Sequence, residues 1–402
     1  MEYMTVREAA GKWNVSERHV QKYCAQGRID GAGKFGASWR IPVSACKPED
    51  PRGNKTKEEP KQDSGSGPAA CFADLMPLMS TPFEPGACRK AIDEMEEGSK
   101  KEIALAEYYY FSGQPEQAVR KAELYLDSQE LALKLSACLL CAYANLTLGQ
   151  INRARYSLLE VKNVLRGASD NTPRAQRAAE AFIGFTATVL LHLPLPEEVP
   201  PMEEYLAILP PGLQVFALYV QAHYTYLKEE YEKSIGIAET ALALQTRGYP
   251  IPSIYLHLVA VMDYMSLRRP EEARRHLLAA WDLARPDDLI QAFGEHHGLL
   301  GGMLEAVIKP GWPDDFKRII AITYPFSEGW RKVHNPMTGH DVADNLTTTE
   351  FAASMLAARG WTNQEIGDHM HISANTVKRY ISTALQKLHI EHRKDLKKFM
   401  LH

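Results

Sequence analysis

Four short stretches in the middle of the chain share one pattern, and together they restrict most of it to stacked helix pairs. AEYYYFSGQPEQA, AYANLTLGQINRA, HYTYLKEEYEKS and DYMSLRRPEEA each read as an aromatic-rich helix, a turn, and a second helix that opens with charged residues and a small one. Aligned on the residue five before that small one, they register at Gly113, Gly149, Glu229 and Arg268, with offsets of 36, 80 and 39. The middle offset is two periods of about forty around a unit that is hard to read. A repeat of this length with two helices per unit is the signature of an α-solenoid, because one pair cannot bury its apolar face alone whereas a stack can. From 71 to 340 the chain reads as helical throughout with no convincing strand, so the expected fold is mainly α.

These turns are similar to tetratricopeptide repeats: Gly113 with Ala118, and Gly149 with Ala154, stand where that motif places small residues between paired helices. The two later units lack the glycine. The resemblance implies a concave helical surface suited to a peptide, protein or small-molecule effector. Tyr108, Tyr109, Tyr110, Tyr224 and Tyr226 are expected in the core, where aromatic stripes at helical spacing most often sit.

Two features of this region invite metal chemistry and fail on spacing. Cys138 and Cys141 have CxxC spacing inside the helical run SACLLCAYANLTL, with no second pair to complete a site, and read as buried small apolar residues. Six scattered cysteines make no disulfide framework. Glu295, His296 and His297 are adjacent, so on a helix they point about 100° apart and share no site. Their segment, DLIQAFGEHHGLLGGMLEAV, is similar to stretches that close the helical-repeat region of MalT-like regulators. The nucleotide-hydrolysing domain of those larger relatives is not found here, nor is a phosphoacceptor receiver pattern.

Near the C-terminus, Thr362 to Leu388 reads as two helices joined by a tight turn. Thr362 and Glu365 form a capping box; Ile366 and Met370 give the first helix an apolar side; Ser373 can cap the second. In that second helix Val377, Ile381, Leu385 and Leu388 define a buried stripe. Asn375, Arg379, Ser382 and Gln386 fall on the opposite face, flanked by Lys378 and Thr383, with no acid among them. Such side chains suit phosphates and base edges in a major groove, although a solvated polar face has the same periodicity.

Leu346-Thr347-x-x-Glu350, Gly360-x-Thr362-Asn363-x-Glu365-Ile366, Ile372-Ser373-x-Asn375-Thr376-Val377-Lys378 and Leu388 resemble the LuxR-type helix-turn-helix over residues 346–402. The pattern departs from the family where His389 follows the final Leu in place of a common Gly, and where His392-Arg393 replaces Asn/Ser-Arg. The resemblance implies a four-helix domain that binds double-stranded DNA through Thr362, Ser373, Asn375, Thr376, Lys378, Arg379, Ser382 and Thr383. Thr362 and Ser373 would hold the helix ends. It also implies a homodimer paired through the last helix, whose apolar residues are Leu396, Phe399 and Met400.

The other end carries a second candidate reader. Thr5-Val6-Arg7-Glu8 is a capping box opening a helix with Val6, Ala9, Ala10 and Trp13 on one side. Ser16 caps a second helix, and RIDGAGKFGASWRIP reads as a Gly-rich hairpin or wing. So small a core needs Trp13, Trp39 and Phe35 for much of its burial. TVREAAGKW, the V-S-x-R-x-V-Q-K turn and Gly-Arg-Ile-x-Gly with Trp-Arg-Ile-Pro resemble the winged helix-turn-helix of excisionases and the MerR-like group. That implies DNA contacts from Arg18, His19, Lys22, Lys34, Ser38 and Arg40. GRIDGAGKF is no phosphate-binding loop: Arg28 stands where a Walker A motif needs Gly, and no Ser or Thr follows Lys34.

Charge agrees with readers at both ends. Residues 1–48 carry eight Lys/Arg against four Asp/Glu and residues 346–402 eight against five, leaving 30 against 41 for the middle, which keeps the centre off phosphates. The expected order is a winged helix-turn-helix (1–48), a Pro/Gly/Ser/Lys-rich flexible linker (49–70), a helical-repeat sensory or interaction domain (71–340) and the LuxR-type domain (341–402). No apolar run is long enough to span a membrane and no secretory signal opens the chain, so a cytoplasmic protein is expected. No nucleophile–base pair, paired carboxylates or metal spacing supports an enzyme, and no cofactor is implied. The reading is a sequence-specific DNA-binding transcriptional regulator; the alternative is a repeat scaffold whose terminal modules contact proteins.

Overall fold

A computed structural model describes residues 3–13, 15–25, 29, 32–35, 38–43, 45, 74–167, 172–195, 199–339 and 345–400. The chain divides into two compact units, Met1–Gly65 and Ser66–His402. The tether expected at 49–70 lies outside the described residues.

The first unit runs β1 (Tyr3–Thr5), α1 (Val6–Trp13), α2 (Glu17–Ala25), β2 (Gly33–Phe35) and β3 (Ser38–Pro42). Its sheet is antiparallel in the order β1-β3-β2, with Met4 opposite Ile41 and Lys34 opposite Trp39. The expected hairpin is therefore present, and β1 adds a third strand that three residues of sequence are too short to announce. The capping box forms: Glu8 N–H donates to Thr5 Oγ1 at 3.3 Å and Thr5 N–H to Glu8 Oε2 at 2.7 Å. Ala9, Ala10 and Trp13 pack on Val20, Tyr23, Cys24 and Ile41 to make a separate small core. Trp13 is buried as expected, whereas Trp39 is only half-buried, and the Phe35 side chain lies outside the described residues.

The second unit opens with a buried turn segment at Leu75–Met79 and α3 (Cys88–Asp93), then runs through helix pairs. These are α4 (Ser99–Phe111) with α5 (Pro115–Ala122), α6 (Leu131–Thr147) with α7 (Ile151–Gly167), α9 (Pro211–Leu227) with α10 (Tyr231–Ala243), and α11 (Pro250–Ser266) with α12 (Pro270–Ala284). Between α7 and α9 stands α8 (Arg174–Leu190).

The turn inside each pair explains the alignment. Gly113, Gly149, Glu229 and Arg268 all adopt the left-handed conformation, with φ of 72, 66, 60 and 61°. At each, the residue's N–H bonds the carbonyl three before it, and the next N–H bonds the carbonyl five before its own. This pair of hydrogen bonds closes the helix C-terminus and points the chain into its partner. Glu229 and Arg268 make the same turn with a Cβ, which costs roughly 1–2 kcal/mol relative to glycine. That strain hides the later units from a glycine search. The missing unit uses the same device: His192, at φ 50°, bonds Val189 O while Leu193 bonds Thr188 O. The prolines that follow (Pro194, Pro196, Pro200, Pro201) bar a regular second helix, and two short 3₁₀ turns at Met202–Glu204 and Leu206–Ile208 take its place. Five residues beyond the four aligned turns, Ala118, Ala154, Ser234 and Ala273 are fully buried where the paired helices meet.

Tyr110 and Tyr226 are buried, and Tyr108, Tyr109 and Tyr224 pack partly buried against the core. Cys138 and Cys141 are free, buried in α6, and burial pushes both thiols up to about 12, as suits inert core residues. After α12 come α13 (Gln291–His296), a Gly-rich turn, a π-helical segment (Leu304–Ile308) leading into α14 (Lys309–Gly311), and the long α15 (Pro313–Thr338). Next stand α16 (Thr348–Ala358), α17 (Asn363–Met370), α18 (Ala374–Lys387), and a 3₁₀ turn at Arg393–Leu396 running into α19 (Lys397–Met400). Their apolar residues, among them Leu356, Ile366, Val377, Ile381 and Leu396, belong to the same continuous core as the helix pairs.

Candidate nucleic-acid interface

Local chemistry fixes the C-terminal helices before packing does. Thr362 Oγ1 accepts from Glu365 N–H at 3.2 Å, and Glu365 Oε2 accepts from Thr362 N–H at 2.6 Å, completing the capping box. The chain leaves α17 through His371, left-handed at φ 54°, with Ile372 N–H bonded to Gly367 O at 2.9 Å. A Cβ on Gly367 would stand 2.6 Å from Ile372 O, so only glycine lets the turn fold this tightly against α17. Ser373 Oγ then accepts from Thr376 N–H at 3.1 Å and starts α18.

Helix α18 turns Val377, Ile381 and Ala384 inward, fully or almost fully buried, with Leu385 and Leu388 half-buried beside them. Asn375, Lys378, Arg379, Ser382 and Gln386 are exposed on the opposite side; Thr376 and Thr383 flank it half-buried, and Thr362 and Ser373 are exposed at the helix starts. The anticipated C-terminal residues thus gather on one surface. Lys387 leaves it, turning inward to Glu350 Oε2 at 2.6 Å. Burial raises the Glu350 pKa, but the Lys387 ammonium and the Thr347 N–H more than offset this and hold it below the usual carboxylate range. No carboxylate stands on α18 itself, so phosphates meet no fixed repulsion along it.

Both departures from the family pattern resolve in the geometry. His389, at φ 53°, bonds Gln386 O while Ile390 N–H bonds Leu385 O, the turn a glycine makes at less cost. Arg393 donates to Asn363 Oδ1 at 2.6 Å and to Trp361 O, tying the last helical segment to the start of α17.

Residues 344–400 match the protein family described as bacterial regulatory proteins, luxR family. The match covers about a seventh of the chain, and it supports a DNA-binding transcriptional regulator. No curated protein matches the chain. In this luxR-family domain the apolar residues of the last helix turn inward: Leu396 and Met400 are buried and Phe399 half-buried, all packed into the chain's own core.

The domain sits on the helical unit through contacts that sequence reasoning missed. A Cβ on Gly298 would lie 2.6 Å from the Phe351 ring, on Gly301 3.0 Å from Arg359, and on Gly302 3.4 Å from Met370. His369 Nε2 lies 3.0 Å from Gly301 O, Arg359 donates to Tyr226 Oη and Leu299 O, and Lys397 pairs with Glu229 at 2.9 Å. The run of glycines in GLLGG is the signal that could have found this seat, because a turn stripped of side chains lets another helix approach its backbone.

In the first unit Arg18 and Lys22, one helical turn apart, are exposed with His19 beside them, its Nδ1 3.2 Å from Ser16 Oγ. Lys34, Ser38 and Arg40 are exposed on the hairpin but do not share a face. Lys34 is opposite Trp39, while Ser38 and Arg40 alternate to the other side of β3. The adjacent Glu295, His296 and His297 diverge, to Tyr255, Tyr219 and Glu305 respectively. Among the described residues no three His, Cys, Asp or Glu side chains gather to hold a metal, and no helix is long and apolar enough to cross a membrane.

Proposed function

We propose that the chain is a sequence-specific, double-stranded-DNA-binding transcriptional regulator acting in the cytoplasm, with α18 as its principal reading helix. The observation that carries this is the exposed, acid-free face of a capped helix inside a luxR-family domain. Arg379 and Asn375 read base edges, Lys378 and Ser382 meet bases or nearby phosphates, and Thr362 and Ser373 hold the helix ends. The first unit, read as a winged helix-turn-helix, adds phosphate contacts from Arg18, Lys22 and the two hairpin faces. The helix pairs, read as tetratricopeptide-like, form the sensory part.

Fluorescence anisotropy on DNA selected from random duplexes tests the reading. Arg379→Ala weakens specific binding by about 1–3 kcal/mol with little change in melting temperature. Equal loss on every sequence reassigns Arg379 to the backbone. Affinity of the wild type falls steeply with added salt as counterions are recaptured. Absence of duplex binding by the full chain at low salt ends the regulator reading in favour of a protein scaffold.

A further inference from the structure

Where the luxR-family domain meets the helical unit, the packing leaves a cavity of about 150 Å³. One wall is Tyr143 of α6, Tyr219 and His223 of α9, and His296 of α13; another is Phe326 and Trp330 of α15; Phe351 and Met400 of the luxR-family domain close it. We propose that this cavity is a binding site for a small, uncharged molecule built on one aromatic ring, and that the luxR-family domain senses its occupancy.

Size sets the first limit, because a cavity of about this volume admits a single benzene-sized ring. The walls set the second. Aromatic and imidazole rings meet here edge to face, Trp330 against His192 at 5.0 Å and Tyr219 against His296 at 6.0 Å, and ring faces and edges of this kind favour an aromatic guest.

Charge sets the third. His296 Nδ1 lies 2.8 Å from Ala292 O, a carbonyl that can only accept, so Nδ1 carries the proton. Burial lowers His296 to about 4, leaving the ring neutral, and its Nε2 therefore accepts from Tyr219 O–H at 2.8 Å. The Tyr219 oxygen receives His223 Nδ1–H, and His223 Nε2 receives His192 Nε2–H at 3.0 Å. Burial, then the neighbouring His192 and His296, hold His223 well below its usual value, and burial keeps the Tyr219 hydroxyl protonated, so His223, Tyr219 and His296 are uncharged. The Glu295 oxygens in the lining already accept from Tyr110, Gln291 and Tyr255, so a cation would displace existing bonds there and an anion would meet a carboxylate, whereas a hydroxyl on a ring finds the polar edge of Tyr219, His223 and His296.

Occupancy is tied to the DNA-binding end through the close of α13. The last residue of α13 and those that follow serve both partners at once: His296, His297 and Leu299 line the cavity, while Gly298 and Gly301 carry Phe351 and Arg359. A guest that touches Phe351 and Met400 therefore biases how the domain sits.

Calorimetric titration of the full chain with phenol, benzoate and cyclohexanol tests the site. Phenol binds once per chain, and benzoate and cyclohexanol bind at least about tenfold more weakly. Ser327→Phe, which fills the cavity from α15, lowers phenol affinity by at least about tenfold, with circular dichroism reporting its fold. Should that variant unfold, Tyr219→Phe decides instead: it weakens phenol about fivefold and leaves benzene unchanged. No phenol binding, benzoate binding as tightly as phenol, cyclohexanol doing so, or unaltered phenol affinity in the deciding variant each overturns the assignment. The sensing part rests on the proposed DNA reading: saturating phenol shifts DNA affinity more than about threefold, and a smaller shift overturns it. Phenol and DNA are titrated separately, so loss of DNA binding indicts the regulator reading while a null phenol titration indicts only the cavity.

Discussion

The two candidate readers of this molecule are built on opposite principles. The first unit closes a small core of its own around Trp13, Val20, Tyr23 and Ile41. The luxR-family domain closes none: Leu356, Ile366, Val377, Ile381 and Met400 continue the core of the helix pairs. A reader with a private core keeps its shape whatever the rest does, and little that happens elsewhere can reach it. A reader without one borrows rigidity from its neighbour and is exposed to every change there. On the proposed reading, a change within the helical unit is expected to alter DNA binding through α18, whose domain shares that core.

The largest effect that tests this contrast is Trp13→Ala. Removing a buried indole costs about 3–5 kcal/mol, as much as a core of this size supplies. The first unit unfolds while the large unit melts at its wild-type temperature. Differential scanning calorimetry with and without the substitution checks it, and a parallel drop in the large transition breaks the independence of the two cores.

Gly329→Ala tests the other half. A Cβ there would stand 2.0 Å from Leu146 O, backbone of α6 that cannot swing aside, so α15 is forced off its bed at a cost of about 3 kcal/mol. Since the luxR-family domain shares that core, its amides lose hydrogen-exchange protection together with those of α6 and α15. Retained protection in α17 and α18 alone shows that the domain folds by itself after all.

How much of this was legible follows from range. Signals within one turn of helix read through: the boxes at Thr5–Glu8, Thr347–Glu350 and Thr362–Glu365, the Ser373 cap, and the outward set Asn375, Arg379 and Ser382 all stand where spacing puts them. The turns inside the helix pairs read through as far as glycine marked them and faded where Glu229, Arg268 and His192 make the same left-handed turn with a side chain attached. What depends on partners far along the chain did not read at all. Gly298 looked like the end of a repeat and is the floor under Phe351; His296 and His223 are 73 residues apart and meet through Tyr219. The apolar stripe of the last helix reads the same whether it faces a second copy or its own chain, and Leu396 and Met400 face their own chain.

The smallest effect concerns what holds the luxR-family domain in place. Lys397 and Glu229 pair at 2.9 Å with both side chains about half exposed, and such pairs contribute roughly 0–1 kcal/mol because water and salt screen them. Lys397→Ala therefore leaves the melting temperature of the large unit almost unchanged, and its small cost vanishes in high salt. The seat is held instead by what the sequence conceals, the burial of Met370, Met400 and the ring of Phe351 against side-chain-free backbone. A loss above about 2 kcal/mol for Lys397→Ala reverses that ranking. It would make the joint an electrostatic one, tuned by ionic strength.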